Sequence, residues 1–143
     1  MPLLGDGILD PSLYSLYLSM IHSGTSLFVL DNSGARLVKC IQVYGHRKSV
    51  GSVGTQILVS VRQLSRKISQ PKVKVSQVVK AVITGLAAPK ARKDGLTVHG
   101  SRNTCVLLSA NGTPIGSRIG GPVNCDTPAA RYAKVLALAP KAY

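Results

Sequence analysis

The chain has 143 residues, 45% of them hydrophobic, which is enough for one domain with its own core and too apolar for a disordered polypeptide. Eighteen Lys and Arg stand against five Asp and no Glu, a formal net charge of +13. Such an excess repels itself in the free protein and calls for a polyanionic partner, while so few scattered carboxylates leave little from which to build paired acid–base catalysis.

Residues 1–19 carry Asp6 and Asp10 and no base, unlike a transit peptide or a secretory signal. Asp10-Pro11-Ser12 offers an N-cap and a proline at the first helical position. Leu13, Leu16, Tyr17, Met20 and Ile21 follow at helical spacing, so the pattern predicts a short amphipathic helix in an N-terminal extension. Residues 27–43 then read as two apolar runs around the turn Asp31-Asn32-Ser33-Gly34, where Asn and Gly tolerate positive φ. In the second run Leu37, Ile41 and Val43 share a face with Lys39, and Val38 and Cys40 share the other with Arg36 and Gln42. Apolar groups on both faces suit a strand curled inside a small barrel, although an ordinary hairpin has the same pattern.

Gly45-His46-Arg47-Lys48-Ser49 reads as a basic loop. Over residues 54–63, Ile57, Val59 and Val61 alternate with Gln56, Leu58, Ser60 and Arg62, which predicts a barrel strand. Residues 65–74 hold Arg66, Lys67, Lys72 and Lys74 around Pro71, and residues 78–84 return to strand-forming sequence. Lys90, Arg92 and Lys93 precede the tight-turn pair Asp94-Gly95 and a short strand over 96–99; a further strand over 104–109 ends at Asn111-Gly112. Residues 112–123, GTPIGSRIGGPV, form a loop shaped by glycine and proline with Arg118 as its one charge. Asp126-Thr127-Pro128 is expected to cap a short helix over 129–133, with 134–139 as a closing strand. Short strands joined by basic loops make an all-β protein, either a small OB- or SH3-like barrel or a flat sandwich.

Cys40, Cys105 and Cys125 are odd in number and far apart, and with His22, His46 and His99 they give no ligand spacing. No phosphate-binding glycine loop or hydrolase elbow is present, so neither cofactor, metal nor enzymatic activity is expected. All the bases lie after residue 30, in clusters between strands rather than along an amphipathic helix, which favours nucleic acid over a membrane surface. Aromatic residues are too few for extended base stacking, so the expected mode is recognition of phosphate and shape in folded RNA. The candidate contacts are Arg36, Arg47, Lys48, Arg66, Lys67, Lys72, Lys74, Lys90, Arg92, Lys93 and Arg118.

Met20-Ile21, the hexapeptide Asp31 to Arg36, and Cys40-Ile41-Gln42-Val43 resemble the opening of universal large-subunit ribosomal protein fourteen. The resemblance continues in order through Val78-Val79-Lys80-Ala81-Val82, Asp94-Gly95, Asn103 to Leu107, Gly116-Ser117-Arg118-Ile119, Gly121-Pro122-Val123 and Leu138-Ala139-Pro140. It implies a five-stranded barrel with a projecting β-ribbon and a short C-terminal helix over 20–143, behind the extension 1–19. It further implies binding to large-subunit rRNA, contact with neighbouring large-subunit proteins and with small-subunit rRNA at an intersubunit bridge, and reception of the ribosome silencing factor. A free-standing RNA-binding barrel is the alternative. The chain departs from the family pattern at Thr84-Gly85-Leu86, near Gly100, and at Ile115 and Gly120. Together with the extension, this drift points to an organellar member, mitochondrial in the first instance and plastid as the alternative.

Overall fold

A computed structural model of the protein describes residues 3–4, 8–9, 20–45 and 50–143. Two short strands, β1 (Leu3–Leu4) and β2 (Ile8–Leu9), pair antiparallel, with Leu3 opposite Leu9. Residues 13–17 of the expected amphipathic helix lie outside the described residues. Its last member, Ile21, is not helical: it sits in β3 (Ile21–His22), pairs with Gly51 and is fully buried in the barrel core.

The barrel is built from β4 (Ser26–Val29), β5 (Ala35–Val43), β7 (Gln56–Leu64), β8 (Val78–Gly85) and β11 (Thr104–Leu108). It closes in the order β11-β4-β5-β7-β8, all neighbours antiparallel except β11 and β4, whose parallel pairing sets Thr104 beside Phe28. Closure removes the open edges a sandwich would leave. Ile57, Val59 and Val61 point inward and are fully buried, as their alternation predicts. Two small ribbons accompany the barrel: β3 with β6 (Val50–Gly51), and β9 (Lys90–Ala91) with β10 (Thr97–Val98) around the Asp94-Gly95 turn.

The faces of β5 differ from simple alternation. Irregular pairing with β7 at Leu37 and again between Cys40 and Gln42 shifts the side-chain register. Val38, Cys40 and Val43 therefore all enter the core, while Ile41 is turned out and 43% exposed.

Residues 81–85 of β8 and 105–108 of β11 are all buried, because both faces of the two strands are covered there. Ala81, Ile83, Cys105 and Leu107 fill the barrel. Val82, Val106 and Leu108 face outward onto a second cluster made with Ile119, Val123, Tyr132 and Val135. The last two belong to α1 (Ala129–Leu138), which continues through the segment expected as a strand. Tyr132, Val135, Leu136 and Ala139 recur at i, i+3, i+4 and i+7 against this cluster, and the Ala- and Leu-rich segment favours helix. The helix bends at Tyr132 (φ −122°, ψ 38°) and has no side-chain N-cap bond. The Thr127 hydroxyl instead donates to the Asn124 carbonyl at 2.8 Å, and Asp126 faces the β9–β10 ribbon.

Candidate nucleic-acid interface

The turn between β4 and β5 is the hub of the basic surface. At the end of β4 the Asp31 carboxylate is buried and accepts three hydrogen bonds. Its Oδ1 takes the Ser33 amide at 3.2 Å and the Ser33 hydroxyl at 2.5 Å, and its Oδ2 takes the Leu107 amide at 3.2 Å. The side chain thus carries the β4–β11 ladder one bond past the end of the strand. Burial raises the Asp31 pKa above its ordinary value, opposed by the bonds from Ser33 and Leu107 and by the charge of Lys72.

Two loops are tied to this turn. Asn32 binds the glycine–proline loop: its amide donates to the Arg118 carbonyl at 3.1 Å, its Oδ1 accepts from the Arg118 amide at 3.2 Å, and its Nδ2 donates to the Ser117 hydroxyl at 3.0 Å. The approach needs glycine at 116, where a Cβ would lie 2.7 Å from Asn32 Oδ1. On the other side, the Ser65 amide donates to the Gly34 carbonyl and the Lys72 amide to the Ser33 carbonyl, each at 2.7 Å. Gly34 has φ +103°, and a Cβ there would lie 2.4 Å from Pro71 Cβ, so this position admits no other residue without movement. The Lys72 ammonium spans both loops by donating to the Ile115 carbonyl at 3.2 Å.

Arg36, Arg66, Lys67, Lys72 and Arg118, far apart in sequence, are thereby gathered around one rigid turn. Arg36 and Arg66 line a common cleft with Gln63 and Leu64. Arg118 is exposed, its backbone fixed at both polar atoms while its guanidinium has no partner among the described residues. A fixed backbone with a free guanidinium suits bidentate capture of a phosphate. Lys74 lies beyond buried Val73 in the next turn, exposed, its amide held by Gln77 Oε1 at 2.9 Å.

The β9–β10 ribbon carries a second group. Lys93 is exposed at its turn, and Lys90 stands 4.0 Å from the Asp126 carboxylate. Arg92 has an internal role that its sequence cluster does not reveal. Its guanidinium donates to the Tyr143 main-chain oxygen at 2.6 Å and to Asn124 Oδ1 at 3.0 Å, with Asp126 at 3.5 Å, clamping the ribbon to the segment after the glycine–proline loop. Arg47 and Lys48 lie outside the described residues.

Arg102 and Lys80 were not among the candidates because neither belongs to a basic cluster: Arg102 stands between β10 and β11, and Lys80 within β8. The Arg102 guanidinium lies 4.7 Å over the centre of the Phe28 ring, and Lys80 shares a cleft with Arg131 and Tyr44. Cys40 and Cys105 are buried core thiols; burial raises both pKa values, that of Cys105 far above the usual thiol range, while Cys125 is exposed. Among the described residues no group of His, Cys and Asp could hold a metal ion.

A closed five-stranded barrel with a small β-ribbon and a short C-terminal helix is the arrangement that the sequence resemblance implies. A family model described as Ribosomal protein L14p/L23e matches residues 20–143. The chain belongs to this family. As an L14p/L23e protein it is a structural constituent of the large ribosomal subunit and binds rRNA. The matched span includes the whole barrel, the β9–β10 ribbon, the glycine–proline loop and α1. The hub turn thus lies within the matched region, with every one of the candidate contacts.

Proposed function

We propose that the protein holds folded large-subunit rRNA through the cations around the Asp31–Gly34 turn, at the face of the subunit that meets the small subunit, in a mitochondrial ribosome. The observation that carries this reading is the convergence of Arg36, Arg66, Lys67, Lys72 and Arg118 on one turn fixed by hydrogen bonds from both sides. Cations on a rigid frame keep the spacing of phosphates in a folded RNA, whereas cations on loose loops must be ordered on binding. Arg47, Lys48, Lys74, Lys90 and Lys93 extend this surface, and Arg92 supports it by fixing the ribbon. Contact with small-subunit rRNA at a bridge, with neighbouring large-subunit proteins and with the silencing factor is supported by the resemblance to the family rather than by the geometry. The mitochondrial assignment rests on the departures at Thr84-Gly85-Leu86, Ile115 and Gly120 and on the extension, whose lack of bases suits a protein neighbour better than RNA.

Binding of the purified chain to large-subunit rRNA over a salt series tests the mode. Neutralising on the order of five phosphates makes log K fall with a slope of about −4 to −5 against log salt. Arg118→Lys keeps the charge and loses the planar fork, so affinity should fall about five- to tenfold, roughly 1–1.4 kcal/mol. Salt-independent binding, or an unchanged affinity in Arg118→Lys, contradicts the proposal. Co-sedimentation of the tagged chain with mitochondrial large subunits through a high-salt wash checks both the assembly and its compartment.

A further inference from the structure

The closure of the barrel between β4 and β11 leaves a cleft of about 600 Å³, within the size range of small-ligand sites. Its lining includes Phe28, Arg36, His99, Arg102 and Tyr143: two guanidiniums, an imidazole and two aromatic rings. No Asp side chain lines it among the described residues. The walls are fixed by hydrogen bonds. The Phe28 amide donates to the Asn103 carbonyl at 3.0 Å, the Gly100 amide to the Leu86 carbonyl at 2.7 Å, and Asn103 Oδ1 accepts the Ala87 amide at 3.0 Å. The Arg102 guanidinium lies 4.7 Å over the Phe28 ring, so a planar cation is already stacked at the cleft.

We infer that this cleft takes one unpaired, extruded nucleotide of the RNA, its base stacked on the Phe28–Arg102 pair and its phosphate held by Arg36. Single-stranded bases stack on aromatic rings and on guanidinium planes alike, and a lining with two guanidiniums and no Asp side chain attracts the attached phosphate. Arg36 lies both in this cleft and in the one it shares with Arg66, so the nucleotide would join the phosphate surface around the hub. A neutral peptide would bring no charge for the two guanidiniums in so small a volume. The inference rests on the rRNA-binding reading and adds base recognition to a surface otherwise suited to phosphates.

The test uses the full chain and two RNA hairpins with the same stem, one fully paired and one with a single bulged 2-aminopurine. The bulged hairpin should bind about fivefold or more tighter, with quenching of the 2-aminopurine on binding. Arg102→Lys retains charge without the plane, and Phe28→Leu retains apolar bulk without the ring; each should bring the affinity ratio to within about twofold of unity. Should Phe28→Leu fail to fold, the exposed Arg102 position carries the test. Equal affinity of the native chain for the two hairpins overturns the inference, as does a preference that survives Arg102→Lys. If neither hairpin binds while large-subunit rRNA does, the cleft proposal falls alone. If the rRNA is not bound either, the rRNA-binding reading falls with it.

Discussion

Replacing the Asp31 carboxylate by an amide keeps its volume and removes its charge, which isolates the work of its acceptors. The carboxylate faces three donors, the Ser33 amide and hydroxyl and the Leu107 amide. In Asp31→Asn the –NH₂ group must face one of the two backbone amides, whichever way the side chain is turned. A buried N–H is left without an acceptor, and stability should fall by about 1–3 kcal/mol in urea unfolding at pH 7. The pH dependence has a definite sign. Burial holds the folded carboxyl above its ordinary 3.8, so the folded state keeps its proton to higher pH than the unfolded chain. That contribution to stability is fully present below 3.8 and is lost as pH rises through the folded value. The variant has no such titration, and its deficit relative to native protein should widen as pH is lowered from 7 towards 4. A constant deficit would contradict the raised pKa. The sequence places Asp31 in a turn, and its bonds to Ser33 are those of an Asx-type turn residue. Its bond to Leu107 was not legible, because the two residues are 76 positions apart and meet only once the barrel closes.

At the scale of elements, legibility followed how many faces of each segment are buried. β7 alternates with period two and buries one row, so Ile57, Val59 and Val61 could be read directly. β5 could be read as a strand but not in its faces, since irregular pairing near Leu37 and Cys40 depends on the partner β7. The closing strand expected after residue 133 became the rest of α1 because a short apolar run does not distinguish a strand from a helix lying on a second cluster. The basic loops were legible singly. Their convergence was not, because it is made by main-chain bonds from Ser65, Lys72 and Arg118 to residues 32–34. Gly34→Ala tests that convergence as a unit. The variant places a Cβ against Pro71 and an L side chain at φ +103°, a conformation costing about 1–2 kcal/mol before any clash. The 65–72 loop should move away from the turn, lowering the melting temperature and speeding tryptic cleavage after Arg66 and Lys67. Native-like stability and cleavage rates would show that the turn does not organise the loop.

For the whole molecule the deciding quantity is the net charge of +13, which acts in opposite directions on folding and on binding. Among the described residues the cations have little internal compensation. Asp126 serves Lys90 and Arg92, and Asp31 is spent on hydrogen bonds inside the turn. The folded chain therefore concentrates its positive charge into a smaller volume than the unfolded chain does, and self-repulsion opposes compaction. At about 0.01 M salt the screening length is about 30 Å, comparable to a domain's width, so nearly all the charges repel one another; at 0.15 M it is about 8 Å, and only near neighbours do. Raising sodium chloride across this range should raise the melting temperature of the free protein, measured by circular dichroism at 218 nm. The same change should weaken the complex with rRNA, because bound phosphates then regain their counterions less unfavourably. The two slopes should have opposite signs in one preparation. Substituting Arg66, Lys67 and Lys74 together by Gln should flatten both, leaving a more stable protein at low salt that binds rRNA less tightly. A melting temperature that falls with salt in the native chain would mean that the folded charges are paired rather than exposed, and the basic surface would lose its explanation.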